Sequence, residues 1–129
     1  METEIFTLCD FAQDNNGKLI VVGTFDTISS QAFPCTHPSC SIACRLRFSE
    51  KETGEHEFKL KFVDSNGKDV LQPIAGKIQI RPPKAGQNST VNLVFNIGQL
   101  RFENPGRYAF ELYLDDDWKS GLPLNLLKQ

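Results

Sequence analysis

The stretch Glu57-Phe58-Lys59-Leu60-Lys61-Phe62 indicates the fold class, because charged and apolar side chains alternate along it residue by residue. Successive side chains of a β-strand point to opposite faces of a sheet, so this pattern predicts a strand with one face on a core and one in water. The same alternation recurs over residues 42–48, 91–97 and 108–115. The spacing of an amphipathic helix appears nowhere for longer than a turn. We therefore expect an all-β protein.

Turn-forming residues separate the alternating segments. Asn15-Asn16-Gly17, Ser65-Asn66-Gly67 and Asn104-Pro105-Gly106 supply Asn or Gly for a positive φ, or Pro for a preset φ. About eight strands are expected, at approximately 4–9, 18–27, 41–49, 56–64, 76–81, 90–97, 107–115 and 121–127. A single sheet of this length would leave one apolar face in water, so we expect two antiparallel sheets packed face to face. Residues 29–39 and 81–88, which contain prolines, are expected to be irregular.

The segment Pro105-Gly106-Arg107-Tyr108, at the start of a late strand, is similar to the tyrosine corner of Greek-key sandwiches. Together with the strand count, this feature predicts an immunoglobulin-like β-sandwich. The length of 129 residues fits one domain spanning residues 1–129.

Charge and composition narrow the range of functions. Fourteen Lys and Arg face 16 Asp and Glu, for a net charge of −2, and the pI near 5.6 argues against a nucleic-acid partner. The N-terminal sequence Met1-Glu2-Thr3-Glu4 is acidic where a secretory signal would be basic. No apolar run approaches the ~18 residues of a membrane span. We therefore expect a cytoplasmic protein with no membrane partner and with its cysteines as free thiols.

Four potential zinc ligands, Cys35, His37, Cys40 and Cys44, lie within ten residues of one another. Thiolate and imidazole groups are the ligands that zinc prefers in tetrahedral sites. The spacing matches no common zinc motif, however, and Cys40 and Cys44 share one face of a predicted strand, as buried thiols do. A zinc site and a set of buried or loop thiols are therefore both open interpretations.

A run of three carboxylates, Asp115, Asp116 and Asp117, ends the strand that contains Tyr108. Counting strand reversals places this run at the same end of the sandwich as the loops at 10–17 and 50–55. Calcium prefers oxygen ligands supplied by such loops. The alternative interpretation is a polar hairpin tip that holds no metal.

Basic side chains alternate with core residues on three successive predicted strands, which indicates a basic sheet face. These side chains are Arg45, Arg47, Lys59, Lys61, Lys77 and Arg81. Such a face could bind an acidic partner protein, a polyanion or the acidic face of a second copy. Alternatively, the charges keep exposed strands from pairing with other chains. The face lacks the interleaved aromatic residues of a single-strand nucleic-acid platform.

No set of residues indicates catalysis or cofactor binding. His37 and His56 belong to no recognisable dyad or triad, and we expect His56 to be a solvated imidazole. Asp10 and Asp26 flank the second predicted strand, which would separate them by ~20 Å and leave each to cap a turn.

The segments Leu8-Cys9-Asp10-Phe11-Ala12-Gln13, Asn16-Gly17-Lys18-Leu19 and 22–28 resemble the opening of a family of small bacterial proteins of unknown function. The C-terminal part, from Pro105-Gly106-Arg107-Tyr108 to Leu122-Pro123-Leu124, is also similar to that family. The resemblance implies a β-sandwich in a bacterial cytoplasm and implies no catalytic residues.

These observations favour a non-catalytic binding or protein-interaction module, whose partner is an unknown protein or a second copy. A metal-binding protein or metal-dependent enzyme, using zinc or calcium, is one alternative. A structural subunit of a larger assembly is another.

Overall fold

A computed structural model describes residues 1–84 and 89–129. The described residues form β-strands and one short 3₁₀ turn, Glu50–Glu52, and contain no α-helix, which confirms the all-β class. None of them belongs to a helix long and apolar enough to cross a bilayer. The strands are β1 (Glu2–Asn15), β2 (Lys18–Thr24), β3 (Thr27–Ser30), β4 (Cys35–Phe48), β5 (Gly54–Val63), β6 (Ile74–Ile80), β7 (Ser89–Phe102), β8 (Gly106–Leu114) and β9 (Asp117–Lys128).

The strands form two sheets, as the alternating pattern predicts. The first sheet has the order β2-β1-β4-β7, and the second has the order β3-β9-β8-β5-β6. Neighbouring strands are antiparallel except β3 and β9, which are parallel, so the prediction of purely antiparallel sheets is wrong at this pair. The exception arises because the chain leaves the first sheet after β2 and enters the second beside β9. There the Asn125 amide donates to the Asp26 carbonyl at 2.8 Å.

The boundaries differ most from prediction between residues 18 and 40. The single strand predicted at 18–27 is two strands in different sheets, interrupted at Phe25 and Asp26. The loop predicted at 29–39 is mostly strand, because β4 begins at Cys35 and pairs with an extended β7 that continues to Phe102. Of the second predicted loop, residues 81–84 are irregular and 85–88 lie outside the described residues.

The core lies between the two sheets and contains the side chains that the two-residue alternation predicts. On β4, the even-numbered residues from Ile42 to Phe48 are fully buried. On the second sheet, the Phe62 ring packs on Phe110 with 4.3 Å between ring centroids. The Tyr108 hydroxyl donates to the Asn104 carbonyl at 2.7 Å, which is the bond expected of a tyrosine corner.

Candidate functional site

The β1–β2 hairpin bends where Asp10 lies beside Gly23. Gly23 has a φ of +71°, a conformation that residues with a side chain rarely adopt. The Asp10 side chain also occupies the space beside it, because Oδ2 lies 2.6 Å from the position of a Cβ at Gly23. The backbone angle therefore favours glycine at the bend, and a Cβ there would also displace the Asp10 carboxylate.

Beyond the bend, one face of the hairpin lies on the outer surface of the first sheet. Ala12 belongs to a small buried cluster with Cys9 and Ala43. The Asn92 side-chain amide of β7 donates to Asp14 Oδ1 at 2.8 Å and to the Gly17 carbonyl at 3.1 Å. The opposite face of the hairpin is consequently turned to solvent.

The solvent face of the hairpin carries three large apolar side chains, Phe11, Ile20 and Val22, which we call the apolar strip. Their exposed fractions are 51%, 39% and 52%. Phe11 and Val22 are directly opposite in the strand register, and Ile20 is two residues from Val22 on the same face. Single exposed apolar residues are ordinary, but adjoining ones are typical of interaction surfaces.

Strand β2, which carries Ile20 and Val22, is an edge of the first sheet. Among the described residues it pairs only with β1. Its central sequence, Leu19-Ile20-Val21-Val22, contains no charged residue and no proline. Edge strands of soluble proteins usually carry a charged residue or a proline, because the unpaired N–H and C=O groups of an edge can otherwise bind another strand. Edge β2 is therefore open to strand addition.

A cleft of about 390 Å³ lies at the end of β2. Its lining residues are Asp10, Gly23, Thr24, Phe25, Thr27, Ile28, Ser29 and His37. The rings of Phe25 and His37 form part of its wall, with centroids 5.6 Å apart. Among the described residues that line this cleft, Asp10 is the one carboxylate, and none is a Lys or Arg.

An adjoining cleft of about 380 Å³ shares Thr24 and Phe25 with the first and contains Asp26. Asp10 and Asp26 therefore lie near the same end of β2, and the expectation that they flank opposite ends is wrong. The reason is that β1 continues past Asp10 to Asn15, which sets Asp10 beside Gly23 instead of before the hairpin turn.

The predicted zinc ligands are distributed between the core and the surface. Cys40 and Cys44 are buried among core side chains, and burial raises the pKa of Cys40 to about 11 and that of Cys44 to about 12. Cys35 is partly buried against the same core, and His37 lines the cleft beside Asp10. Within residues 1–84 and 89–129, no three His, Cys, Asp or Glu side chains are close enough together to hold a metal ion.

The predicted acidic cluster forms a tight turn. Asp115 and Asp116 are the two central residues of the β8–β9 hairpin, with φ of 51° and 65°, and Asp117 begins β9. Asp115 accepts hydrogen bonds from His56 and from the Glu57 amide. The Asp116 carboxylate lies 3.7 Å from the Lys59 ammonium group. The residues 10–17, expected as a loop beside this cluster, belong mainly to β1.

His56 is not the solvated side chain that the sequence predicts. Its side chain is 16% exposed. Nδ1 lies 2.6 Å from Asp115 Oδ2, and Nε2 lies 2.6 Å from the Glu52 carbonyl oxygen. Phe48 packs on the ring with 5.5 Å between centroids. His56 therefore joins the start of β5 to the β8–β9 turn.

The predicted single basic face is divided between the two sheets. Arg45 and Arg47 are on β4 of the first sheet, whereas Lys59, Lys61 and Lys77 are on β5 and β6 of the second, and Arg81 follows β6. Most of these charges also have a local carboxylate partner. The ion pairs are Arg45–Glu4, Arg47–Glu4, Lys59–Asp116, Lys61–Asp69 and Lys77–Glu55.

The apolar strip is the surface feature that the sequence analysis missed. Its signal was present in Leu19-Ile20-Val21-Val22, where four apolar residues in succession replace the alternation seen elsewhere. A strand with one solvent-exposed face should carry polar residues at every second position. The lack of alternation therefore indicates a second apolar face, covered only in part by the protein's own side chains.

The fold and this surface together define an all-β, two-sheet protein with an exposed apolar edge hairpin. The chain belongs to a family of unknown function, DUF6941, whose model matches residues 4–127. This result confirms the resemblance to an uncharacterised family. No curated protein sequence matches the chain significantly.

Two solved structures are similar to the chain in fold. One is beta-glucosidase from Listeria innocua in complex with isofagomine, with a TM-score of 0.51 and 10% identity. The other is Pseudomonas fluorescens alkylpurine DNA glycosylase AlkC bound to DNA containing an abasic site analog, with a TM-score of 0.49 and 11% identity. Each match covers 98% of this chain, but only 17% of the first protein and 30% of the second. The likeness at this identity concerns the fold alone.

Proposed function

We propose that this protein is a non-catalytic interaction module that binds an extended segment of a partner protein along the free edge of β2. The observation that carries the proposal is the position of Ile20 and Val22 in the uncharged central part of edge strand β2, with Phe11 beside them on β1. Strand addition uses the backbone groups of such an edge for affinity and adjacent side-chain surfaces for specificity. The sequence favours a binding or interaction module. We place its binding surface on β2 and not on the basic side chains, which are divided between the two sheets.

The size of the apolar strip favours strand addition over simple hydrophobic docking. Completing the burial of a half-exposed Phe, Ile or Val contributes ~1 kcal/mol. Three such side chains do not offset an association cost of at least ~4 kcal/mol. Backbone hydrogen bonds of ~1 kcal/mol each along β2 would supply the remainder. A partner segment in an extended conformation can make both kinds of contact at once.

The proposal also includes the type of sandwich, the number of domains and the cellular location. The chain is one immunoglobulin-like β-sandwich domain over residues 1–129, supported by the shared core of the two sheets and by the Tyr108–Asn104 bond. A bacterial cytoplasmic location is supported by the resemblance in sequence and by the burial of Cys40 and Cys44 as free thiols. The net charge of −2 supports a protein partner over nucleic acid.

A displayed library of random ten-residue peptides tests the proposal. We expect wild-type protein to enrich peptides with alternating apolar residues, and Val22→Lys to lose them, since a charge at an edge strand opposes pairing. Leu127→Lys is the matched control, because Leu127 has the same exposed fraction of 52% on β9. Enrichment that survives Val22→Lys, or that is lost equally in Leu127→Lys, would contradict binding at β2.

A further inference from the structure

We propose that the cleft beside Asp10 binds the side chain of a lysine or arginine, supplied by the partner segment that lies along β2. The identity of the occupant rests on the proposed function. The preference of the cleft for a cation rests on the residues that line it, and a probe that needs no strand pairing tests it.

The charge of the cleft favours a cation. Asp10 supplies a carboxylate to the cleft, and the lining residues that the structure describes include no Lys or Arg. Within the described parts of the chain, Asp10 also has no ion-pair partner, whereas Glu4 pairs with Arg45 and Arg47, and Asp115 pairs with His56. An ammonium or guanidinium group entering the cleft would therefore complement a charge that the protein does not itself neutralise.

The shape of the cleft suits a long basic side chain with an apolar stem. Phe25 and Ile28 are partly buried against the core and form an apolar wall. The Phe25 and His37 rings offer flat surfaces on which a guanidinium group or methylene chain can pack. The Thr27 and Ser29 hydroxyls add hydrogen-bond acceptors at the rim. Lysine and arginine side chains have this division into an apolar stem and a charged end.

The position of the cleft connects it to the edge of β2. Gly23 and Thr24, the last residues of β2, are also lining residues of the cleft. Asp10 belongs to β1, on the other side of β2, but its carboxylate lies beside Gly23, so a long side chain of a strand added to β2 would extend over Gly23 toward it. Because Gly23 has no side chain, nothing at that position covers the Asp10 carboxylate.

The test is a titration of the wild-type protein with N-acetylarginine amide, in which the NMR shifts of the protein's backbone amides are measured. N-acetyllysine amide is the second cation, and N-acetylcitrulline amide is an uncharged probe of nearly the same shape as the arginine one. We expect saturable shifts at Gly23, Thr24 and Phe25 with the cations and none with citrulline. Asp10→Asn should weaken the arginine affinity about threefold to tenfold, as for an accessible ion pair. Asp26→Asn, in the adjoining cleft, is the control and should change it less than about twofold.

Equal shifts with the citrulline probe, an unchanged affinity in Asp10→Asn, or an absence of shifts at these amides would overturn the proposal. A dispersed amide spectrum of Asp10→Asn establishes that the variant is folded. Because the probes do not pair with β2, their result is independent of the peptide library. Binding of arginine without peptide enrichment would refute the proposed function, and with it the partner segment as the source of the cation, but would leave the cation site standing. The reverse result would refute only the cation site.

Discussion

His56 Nδ1 lies 2.6 Å from Asp115 Oδ2, although the two residues are 59 positions apart in the chain. The other ring nitrogen faces the Glu52 carbonyl oxygen, which can only accept a hydrogen bond. Both nitrogens must therefore carry a proton for both bonds to form. The hydrogen bond to Asp115 is the largest cause of a His56 pKa above its ordinary value of 6.5. The same bond lowers the pKa of Asp115 below its ordinary 3.8.

Stability should depend on pH through this pair. The raised pKa of His56 contributes stability that is fully present below pH 6.5 and is lost as pH rises through the folded-state pKa. The lowered pKa of Asp115 contributes stability that is present above pH 3.8 and is lost as pH falls through its folded-state pKa. We expect urea unfolding to give a higher free energy near pH 5 than near pH 8, by up to ~1 kcal/mol, since Asp115 is half exposed. His56→Gln should remove this difference, and an unchanged pH dependence in that variant would exclude the pair as its source.

Substitution of Gly23 should destabilise the protein through both strain and contact. Gly23→Ala places a Cβ at φ +71° and 2.6 Å from Asp10 Oδ2, so we expect a loss of ~1–3 kcal/mol in unfolding free energy. The control is Gly17→Ala, which also has a positive φ but no atom within 4 Å of the added Cβ, and should cost ~1 kcal/mol. Adding Asp10→Ala to Gly23→Ala should recover part of the loss. Strict additivity of the two substitutions would show that the contact with Asp10 contributes nothing.

The four thiols should differ in reactivity. Burial raises the pKa of Cys9, Cys40 and Cys44, so little reactive thiolate forms at these positions in the folded protein. Cys35 is partly exposed. We expect a chromogenic disulfide reagent to modify one thiol quickly in native protein and four after denaturation. Cys35→Ser should abolish the fast phase, and a fast phase that persists in this variant would place the accessible thiol elsewhere.

The tyrosine corner should contribute measurably to stability. Tyr108→Phe removes the hydroxyl that donates to the Asn104 carbonyl at 2.7 Å, and we expect a loss of ~1–3 kcal/mol in unfolding free energy. Tyr113→Phe, on the opposite face of β8, is the matched control and should cost less than ~0.5 kcal/mol. Equal losses for the two variants would argue against a specific role for the Tyr108–Asn104 bond.

Local patterns predicted the strands, but not the way in which the strands are combined. The alternating side chains around Phe62 and Ile42 report which face of a strand is buried, and they lie in the core as expected. The chain passes from the first sheet to the second at Phe25. This change of sheet depends on contacts with distant strands, so the sequence predicted one continuous strand at 18–27. The prediction of a single basic face failed for the same reason, because alternation along β4 and β5 does not show which sheet each strand joins.

The candidate site was partly readable from the sequence. The uninterrupted apolar run from Leu19 to Val22 indicated that β2 has two apolar faces. The bend at Asp10 and Gly23 could not be read in the same way, because a glycine in a strand is compatible with a bulge, a close approach or no special role. Beyond these two residues, the hairpin packs Ala12 against Cys9 and Ala43 and leaves Phe11 in solvent.

Amide hydrogen exchange of the protein with and without a library-selected peptide tests the central claim most directly. Strand addition at β2 predicts slower exchange at amides between Leu19 and Thr24 in the complex, with no change on β6, an edge strand of the second sheet. Protection on β6, or binding without any protection on β2, would contradict the assignment of β2 as the interaction edge.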